Sequence, residues 1–199
     1  MSEQYRIWGP RQVGELSGSA LVVAWNRDII RLGSKVANYL IQKLAGQSFA
    51  EIEPVDFFPL SGVAVENNLI QFPESRFYLC PQNALVIFTS DPPAAKWYEF
   101  LSLILDIAQK HCRVKELYAM GGMVSLSAHT TPLGLVATFN SAEFKATLSQ
   151  YNLSADLDYQ TPPDQRPTLN SFLLWTAQRK NIPGVTLWAP IPFYLLGVG

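Results

Sequence analysis

The stretch Ala20-Leu21-Val22-Val23-Ala24-Trp25, followed by Asn26-Arg27-Asp28-Ile29-Ile30-Arg31-Leu32 and then by Gly33-Ser34-Lys35-Val36-Ala37, decides the reading of the fold. Six apolar residues with no interposed charge fit a strand covered on both faces, as in a mainly parallel sheet. From Gly33 onward Val36, Ala37, Leu40, Ile41 and Leu44 recur at helical spacing until Gly46 ends the run. The three pieces make a strand-loop-helix unit, with 26–32 as its loop.

The flanking sequence repeats this pattern. Residues 49–52 predict a second strand, and 63–66 and 69–72 flank Asn67-Asn68 as a hairpin that 76–80 extends. Residues 84–89 form another buried strand, after which Asp91 is placed to cap the next helix, with Pro92 in its first turn. Trp97, Phe100, Leu101, Ile104, Leu105 and Ala108 line one face of that helix. A strand over 114–120 leads into Gly121-Gly122, which are expected to close it, and 135–139 gives one more. Asn140 and Glu143 have capping-box spacing for a helix reaching about Gln150. Residues 151–167 read as a long surface loop, a lid or docking arm. Thr168 opens a last helix through Lys180 that buries Leu169, Phe172, Leu173 and Ala177, before a strand at 185–188. Trp97, Trp175 and Trp188 fall on predicted apolar faces, where core packing explains them.

Strands alternating with helices predict an α/β fold: a three-layer α/β/α sandwich around a mostly parallel mixed sheet, with a β-hairpin insertion. At 199 residues and 48% hydrophobic content, the chain is expected to form a single domain over 1–199. A net charge of −1 provides no positive field for nucleic acid. Cys80 and Cys112 lack CxxC spacing, and the first twenty residues carry charges in place of an apolar signal core, which predicts a cytoplasmic protein with two buried, inert thiols.

The charges thin out toward the end of the sequence. Residues 1–120 hold 23 of the 31 charged side chains, and 182–199 hold none. Such a run is long enough to span a membrane, but Pro183, Gly184, Pro190, Pro192 and Gly197 would leave backbone groups unpaired in lipid, so no membrane span is expected. The alternative is an apolar tail that needs cover, from its own domain or from a second subunit. Trp188, Phe193, Tyr194, Leu195 and Leu196 are the candidate interface residues.

Ligand sites in parallel sheets form where strands end and helices begin. The candidates there are Arg27, Gly33, Ser34, Asp91, Gly121, Gly122, His129, Thr130 and Thr131. Paired glycines let a ligand come close, and the threonines and histidine supply hydrogen bonds. Gly33 and Ser34 open a helix beside Arg27 and Arg31, a place for an anion, although G-x-x-x-x-G-K-[ST] is absent. His129 reads as a general base, a phosphate ligand or a hydrogen-bonded turn residue, and spacing fixes no carboxylate beside it. Ser125 and Ser127 lack the G-x-S-x-G elbow and read as strand alternation. Glu51 and Glu53 share a strand face as a solvated edge. No His, Cys, Asp and Glu cluster has metal spacing, and neither a metal nor a cofactor is expected.

Five motifs together resemble the proteasome assembly chaperone family, whose members are also described as ATP-grasp-like: Trp25-Asn26-Arg27-Asp28; Leu32-Gly33-Ser34-Lys35-Val36-Ala37; Phe72-Pro73-Glu74-Ser75-Arg76-Phe77-Tyr78; Gly121-Gly122-Met123 with His129-Thr130-Thr131-Pro132; and Pro190-Ile191-Pro192-Phe193-Tyr194. The resemblance implies a fold similar to the nucleoside phosphorylase type of α/β sandwich, no established reaction, and oligomeric binding proteins. It also implies that members docking on proteasome rings end in a hydrophobic-Tyr-any triplet and that many continue into a helical part. This sequence ends Leu195-Leu196-Gly197-Val198-Gly199, with Phe193-Tyr194-Leu195 four residues inside.

The expectation is therefore a non-catalytic homo-oligomer that holds client subunits, proteasome-like or other, through an apolar C-terminal surface. The alternative is a small-molecule enzyme or a nucleotide- or phosphate-binding protein that uses the carboxyl-edge loops.

Overall fold

In the computed structural model, which describes residues 4–8, 19–58, 64–126, 134–155, 157–158 and 160–194, the expected strand and helix fall where the apolar pattern puts them. The elements are β1 (Tyr5–Ile7), β2 (Ala20–Trp25), α1 (Leu32–Lys43), β3 (Gln47–Ile52), β4 (Ala64–Glu66), β5 (Leu69–Gln71), β6 (Ser75–Cys80) and β7 (Leu85–Ser90). They continue as α2 (Trp97–Cys112), β8 (Glu116–Ser125), β9 (Leu135–Phe139), α3 (Ala142–Thr147), β10 (Leu153–Ser154), α4 (Leu169–Arg179) and β11 (Gly184–Pro192).

Nine strands form one mixed sheet in the order β1-β3-β6-β7-β2-β8-β11-β9-β10. Its centre, β7-β2-β8-β11, is parallel. The antiparallel pairings lie toward the flanks, at β1-β3, β3-β6, β6-β7 and β11-β9. β2 is buried along nearly its whole length because a parallel strand on each side and a helix layer on each face enclose it. Alternation along β2 sorts its side chains. Leu21, Val23 and Trp25 join Phe77, Phe88, Leu117 and Ala119 under α2 and α4, whereas Val22 and Ala24 join Ile87 and Cys80 under α1. α3 packs Phe144 on Val185 and Tyr118 on the α1 side. The result is three layers around an α/β sheet.

The hairpin forms at Asn67-Asn68, both in the left-handed region that a two-residue turn demands (φ 51° and 64°). β4 and β5 make a sheet of their own, and 75–80 does not extend it: β6 pairs instead with β3 and β7 in the main sheet. Val63, the first residue expected in the hairpin, lies outside the described residues.

Several local expectations are corrected. Asp91 caps nothing: residues 91–96 precede α2, which starts from Lys96 in a left-handed conformation without a side-chain cap. The cap of α3 is Ser141, whose hydroxyl accepts from the Phe144 N–H at 3.3 Å, and Asn140 is spent elsewhere. The Asn140 amide donates to the carbonyls of Leu174 and Ile182 and accepts from the Gly184 N–H, tying the start of α3 to α4 and β11. Gly121 and Gly122 do not close β8, which runs through them to Ser125. Glu51 and Glu53 do not stand on a free edge. β1 covers β3, and the two carboxylates pair with Arg76 and Arg6. Trp175 lies on the outer face of α4, 43% exposed, stacked on Phe172 at 5.3 Å and under Arg179.

Both thiols are free and fully buried. Burial alone pushes the Cys80 pKa up and carries that of Cys112 to about 12, so neither is a thiolate near neutral pH. No helix among the described residues is long and apolar enough to cross a membrane.

Candidate functional site

The loop after β2 leads to α1 on one face of the sheet, and the loop after β7 leads to α2 on the other. Their divergence opens a crevice at the carboxyl ends of the central strands. The cavity measures about 240 Å³, and Arg27, Asp28, Gly121, Gly122, Asn170 and Trp188 are among its lining residues. The structure thus gathers Arg27, Gly121 and Gly122 from the predicted set, with Asp91 held to Arg27 by an ion pair of 2.9 Å. Gly33 and Ser34 sit just behind, at the start of α1. His129, Thr130 and Thr131 lie outside the described residues.

Most polar groups of this crevice are already partnered within the chain. The Trp25 indole donates to Asn170 Oδ1 at 2.7 Å, and the Asn170 amide donates to the Met120 carbonyl at 3.0 Å, so α4 is tied to β2 and β8 by a largely buried chain. The start of α1 is taken by Asp28, whose Oδ2 accepts from the Gly33 N–H at 2.8 Å. Sequence reading missed this acceptor because a 3-10 turn, Ile29–Arg31, separates it from the helix. Ser34 turns its hydroxyl back to the Arg31 carbonyl. An anion approaching this helix terminus would meet a carboxylate. Burial raises the Asp28 pKa, against the opposing pull of the backbone N–H groups of Gly33 and Leu32 and of the charge on Lys35.

The glycine pair has a packing reason. Register places Trp188 against Gly121, where a Cβ would lie 2.7 Å from Cζ3 of that indole, and a Cβ on Gly122 would lie 2.5 Å from Cδ1 of Ile191. The close approach that two glycines allow is thus used by side chains of β11. Trp188 further donates its indole N–H to the Thr138 hydroxyl at 3.1 Å. Among the described residues no group of three His, Cys, Asp or Glu side chains could hold a metal ion.

Beyond the crevice, β8 and β11 outrun their neighbours. Pairing of β8 with β2 ends at Ala119, and pairing of β11 with β9 ends at Trp188. Among the described residues, the parts beyond pair only with each other, as far as Ser125 and Pro192. This two-stranded ribbon presents Val124, Leu126 (88% exposed) and, past its end, Phe193 (53%) and Tyr194. β11 is half-buried from Leu187 to Pro190 and buried again at Ile191 and Pro192. Leu195 and Leu196 lie outside the described residues.

The sequence profile of the PAC2 family matches residues 28–198. The chain belongs to the PAC2 family. That agrees with the resemblance to proteasome assembly chaperones carried by its motifs, and the matched span takes in the ribbon and the crevice residues from Asp28 onward. Solved structures similar to this PAC2 chain share its fold. The proteasome-assembly chaperone homologue of Mycobacterium tuberculosis is 19% identical, with 88% of this chain and 76% of that one covered and a TM-score of 0.72. An archaeal proteasome activator of Pyrococcus furiosus, PbaB, is 17% identical over 94% of this chain and 79% of its own, with a TM-score of 0.72. PbaA of the same organism, an archaeal homologue of proteasome-assembly chaperone, is 16% identical over 94% and 76%, with a TM-score of 0.69. No curated protein sequence matches this PAC2 chain significantly.

Proposed function

We propose that this chain is a non-catalytic protein-binding module of the proteasome assembly chaperone type, a cytoplasmic homo-oligomer that holds proteasome-like client subunits through the apolar surface at the end of β11. The observation that carries this reading is the ribbon's end. Phe193 and Tyr194, edge to face at 5.5 Å, are exposed directly after Ile191 and Pro192, which are buried. Exposed aromatic side chains are good anchors, because they bury much area for little lost rotamer freedom. Membership of the PAC2 family and the likeness to a proteasome activator and to chaperone homologues support clients of that class.

Binding would proceed by burial of apolar area with a polar rim, and specificity would follow from shape and rim charge. Titration of the purified chain with purified proteasome subunits from its source organism tests this. A complex is expected, and Phe193→Ser should weaken it at least tenfold. The absence of any complex, or one indifferent to Phe193, would sink the reading. The small-molecule alternative is disfavoured by the crevice itself, where Trp188 and Ile191 fill the space over the glycines and Asp28 fills the start of α1. A thermal shift with phosphate or nucleosides would reinstate it.

A further inference from the structure

β3 runs in the same direction as the central parallel strands, so the insertion between β3 and β6 emerges at the same end of the sheet as the ribbon. That insertion is the β4-β5 hairpin. Its Val65, Leu69, Ile70 and Phe72 are 55–67% exposed, and its strands pair only with each other among the described residues. A lone two-stranded hairpin is marginal in water, and this one spends its side chains on solvent on both faces.

Among the described residues the hairpin pairs with no strand of its own ribbon. β7 and β2 stand between β6 and β8, a separation of roughly 14 Å at about 4.8 Å per strand. The β8 end of the ribbon has complementary features: Val124 and Leu126 are apolar and 50% and 88% exposed, and Arg31, in the 3-10 turn whose Ile29 packs near Gly122, is exposed. Among the described residues neither Arg31 nor Glu66, the one charge of residues 64–72, has an ion-pair partner.

We propose that the β4-β5 hairpin docks on the β8 edge of the ribbon in a second copy of this chain, with Ile70 and Val65 on Val124 and Leu126 and with Glu66 on Arg31. This inference rests on the homo-oligomer reading above and deepens it. A two-fold axis beyond the strand ends, perpendicular to the strands, sets the two sheets end to end and exchanges the two features, so each copy gives one hairpin and receives one. The surface at Phe193 and Tyr194, on the β11 side, is left for the client. The apolar side chains supply the area, and the Glu66–Arg31 pair fixes the register.

Sedimentation velocity on the full chain tests the docking. Wild type should be oligomeric. Ile70→Asp should raise the dissociation constant at least tenfold, as should Glu66→Arg or Arg31→Glu alone, while Glu66→Arg with Arg31→Glu in the same chain should restore association. The rescue separates docking from mere loss of the hairpin's own structure. In a second measurement, an Ile70→Cys copy mixed with a Val124→Cys copy should give a disulfide-linked pair on oxidation, against a background in which both native thiols are buried. Oligomers that persist unchanged in all the hairpin variants, with no linked pair, would overturn the docking and leave the homo-oligomer reading intact. A wild-type monomer at working concentration would overturn both.

Discussion

The crevice and the ribbon lie at the same end of one sheet, yet they differ in how completely their groups are satisfied. In the crevice Trp25, Asn170 and the Met120 carbonyl close a largely buried chain, Arg27 is held by Asp91, and Asp28 holds the Gly33 N–H with Oδ2, leaving Oδ1 as the buried oxygen without a hydrogen bond. At the ribbon and the hairpin, large apolar side chains such as Leu126, Phe193, Val65 and Ile70 are more than half exposed. Polar residues in a cleft make a poor ligand site when the fold already partners them. Uncovered apolar side chains on ordered strands are the features that call for a macromolecule.

That contrast can be broken by substitution, beginning where the effect should be greatest. Asn170→Ala leaves the buried Trp25 indole N–H and the Met120 carbonyl unpaired and should lower unfolding stability by about 3 kcal/mol in a urea titration. A loss within error would mean that the network does not hold the crevice together. Gly121→Ala pushes a methyl into the rigid ring of Trp188 and should cost about 2 kcal/mol. Gly122→Ala should cost less, because Ile191 Cδ1 is the end of a flexible side chain. The reverse order would place the glycines' role outside packing.

Asp28 sharpens the comparison through pH. Its folded pKa lies above the 3.8 of the free group, chiefly because burial disfavours the charge. The folded state therefore holds the proton more tightly than the unfolded state, so the group's contribution to stability falls as pH rises through the interval just above 3.8 and grows as pH falls through it. Relative to Asp28→Asn, wild type should gain stability on acidification across that interval, measured by urea titration at a series of pH values. The opposite slope would mean that the backbone N–H groups outweigh burial. The smallest effect on folding belongs to the ribbon. Leu126→Ser and Phe193→Ser should each leave stability within about 0.5 kcal/mol of wild type, while the first weakens self-association and the second weakens client capture. A large loss of stability would show that these side chains serve the core.

Local pattern carried much of the fold. Ala20–Trp25 and Leu135–Phe139 have the bounds that their apolar runs suggest, and Asn67-Asn68 turns the hairpin because asparagine tolerates positive φ. What failed to show was non-local. The reason for Gly121 is Trp188, 67 positions later, brought opposite by strand register alone. The same pairing carries β8 past the glycines that seemed to end it. Asp91 had the residue type of a cap, but the chain spends 91–96 before entering α2. In α4 the period placed Leu173 and Ala177 in the core, but apolar residues occupy both faces, so it did not reveal that Leu174 is buried while Trp175 faces out. At the candidate site, Arg27 and the glycines were legible as positions at strand ends. Their internal partners were not, because each comes from a distant element.

The place of β11 in the sheet has a temporal consequence. It follows β9 and β10 in the chain but lies between β8 and β9, so those two strands have no seat until residues 184–192 have left the ribosome. Until that moment the nascent chain carries the β8 edge open, and a stall or premature stop shortly before Gly184 would release a polypeptide missing a keystone of its sheet, with β9 and β10 stranded beside it.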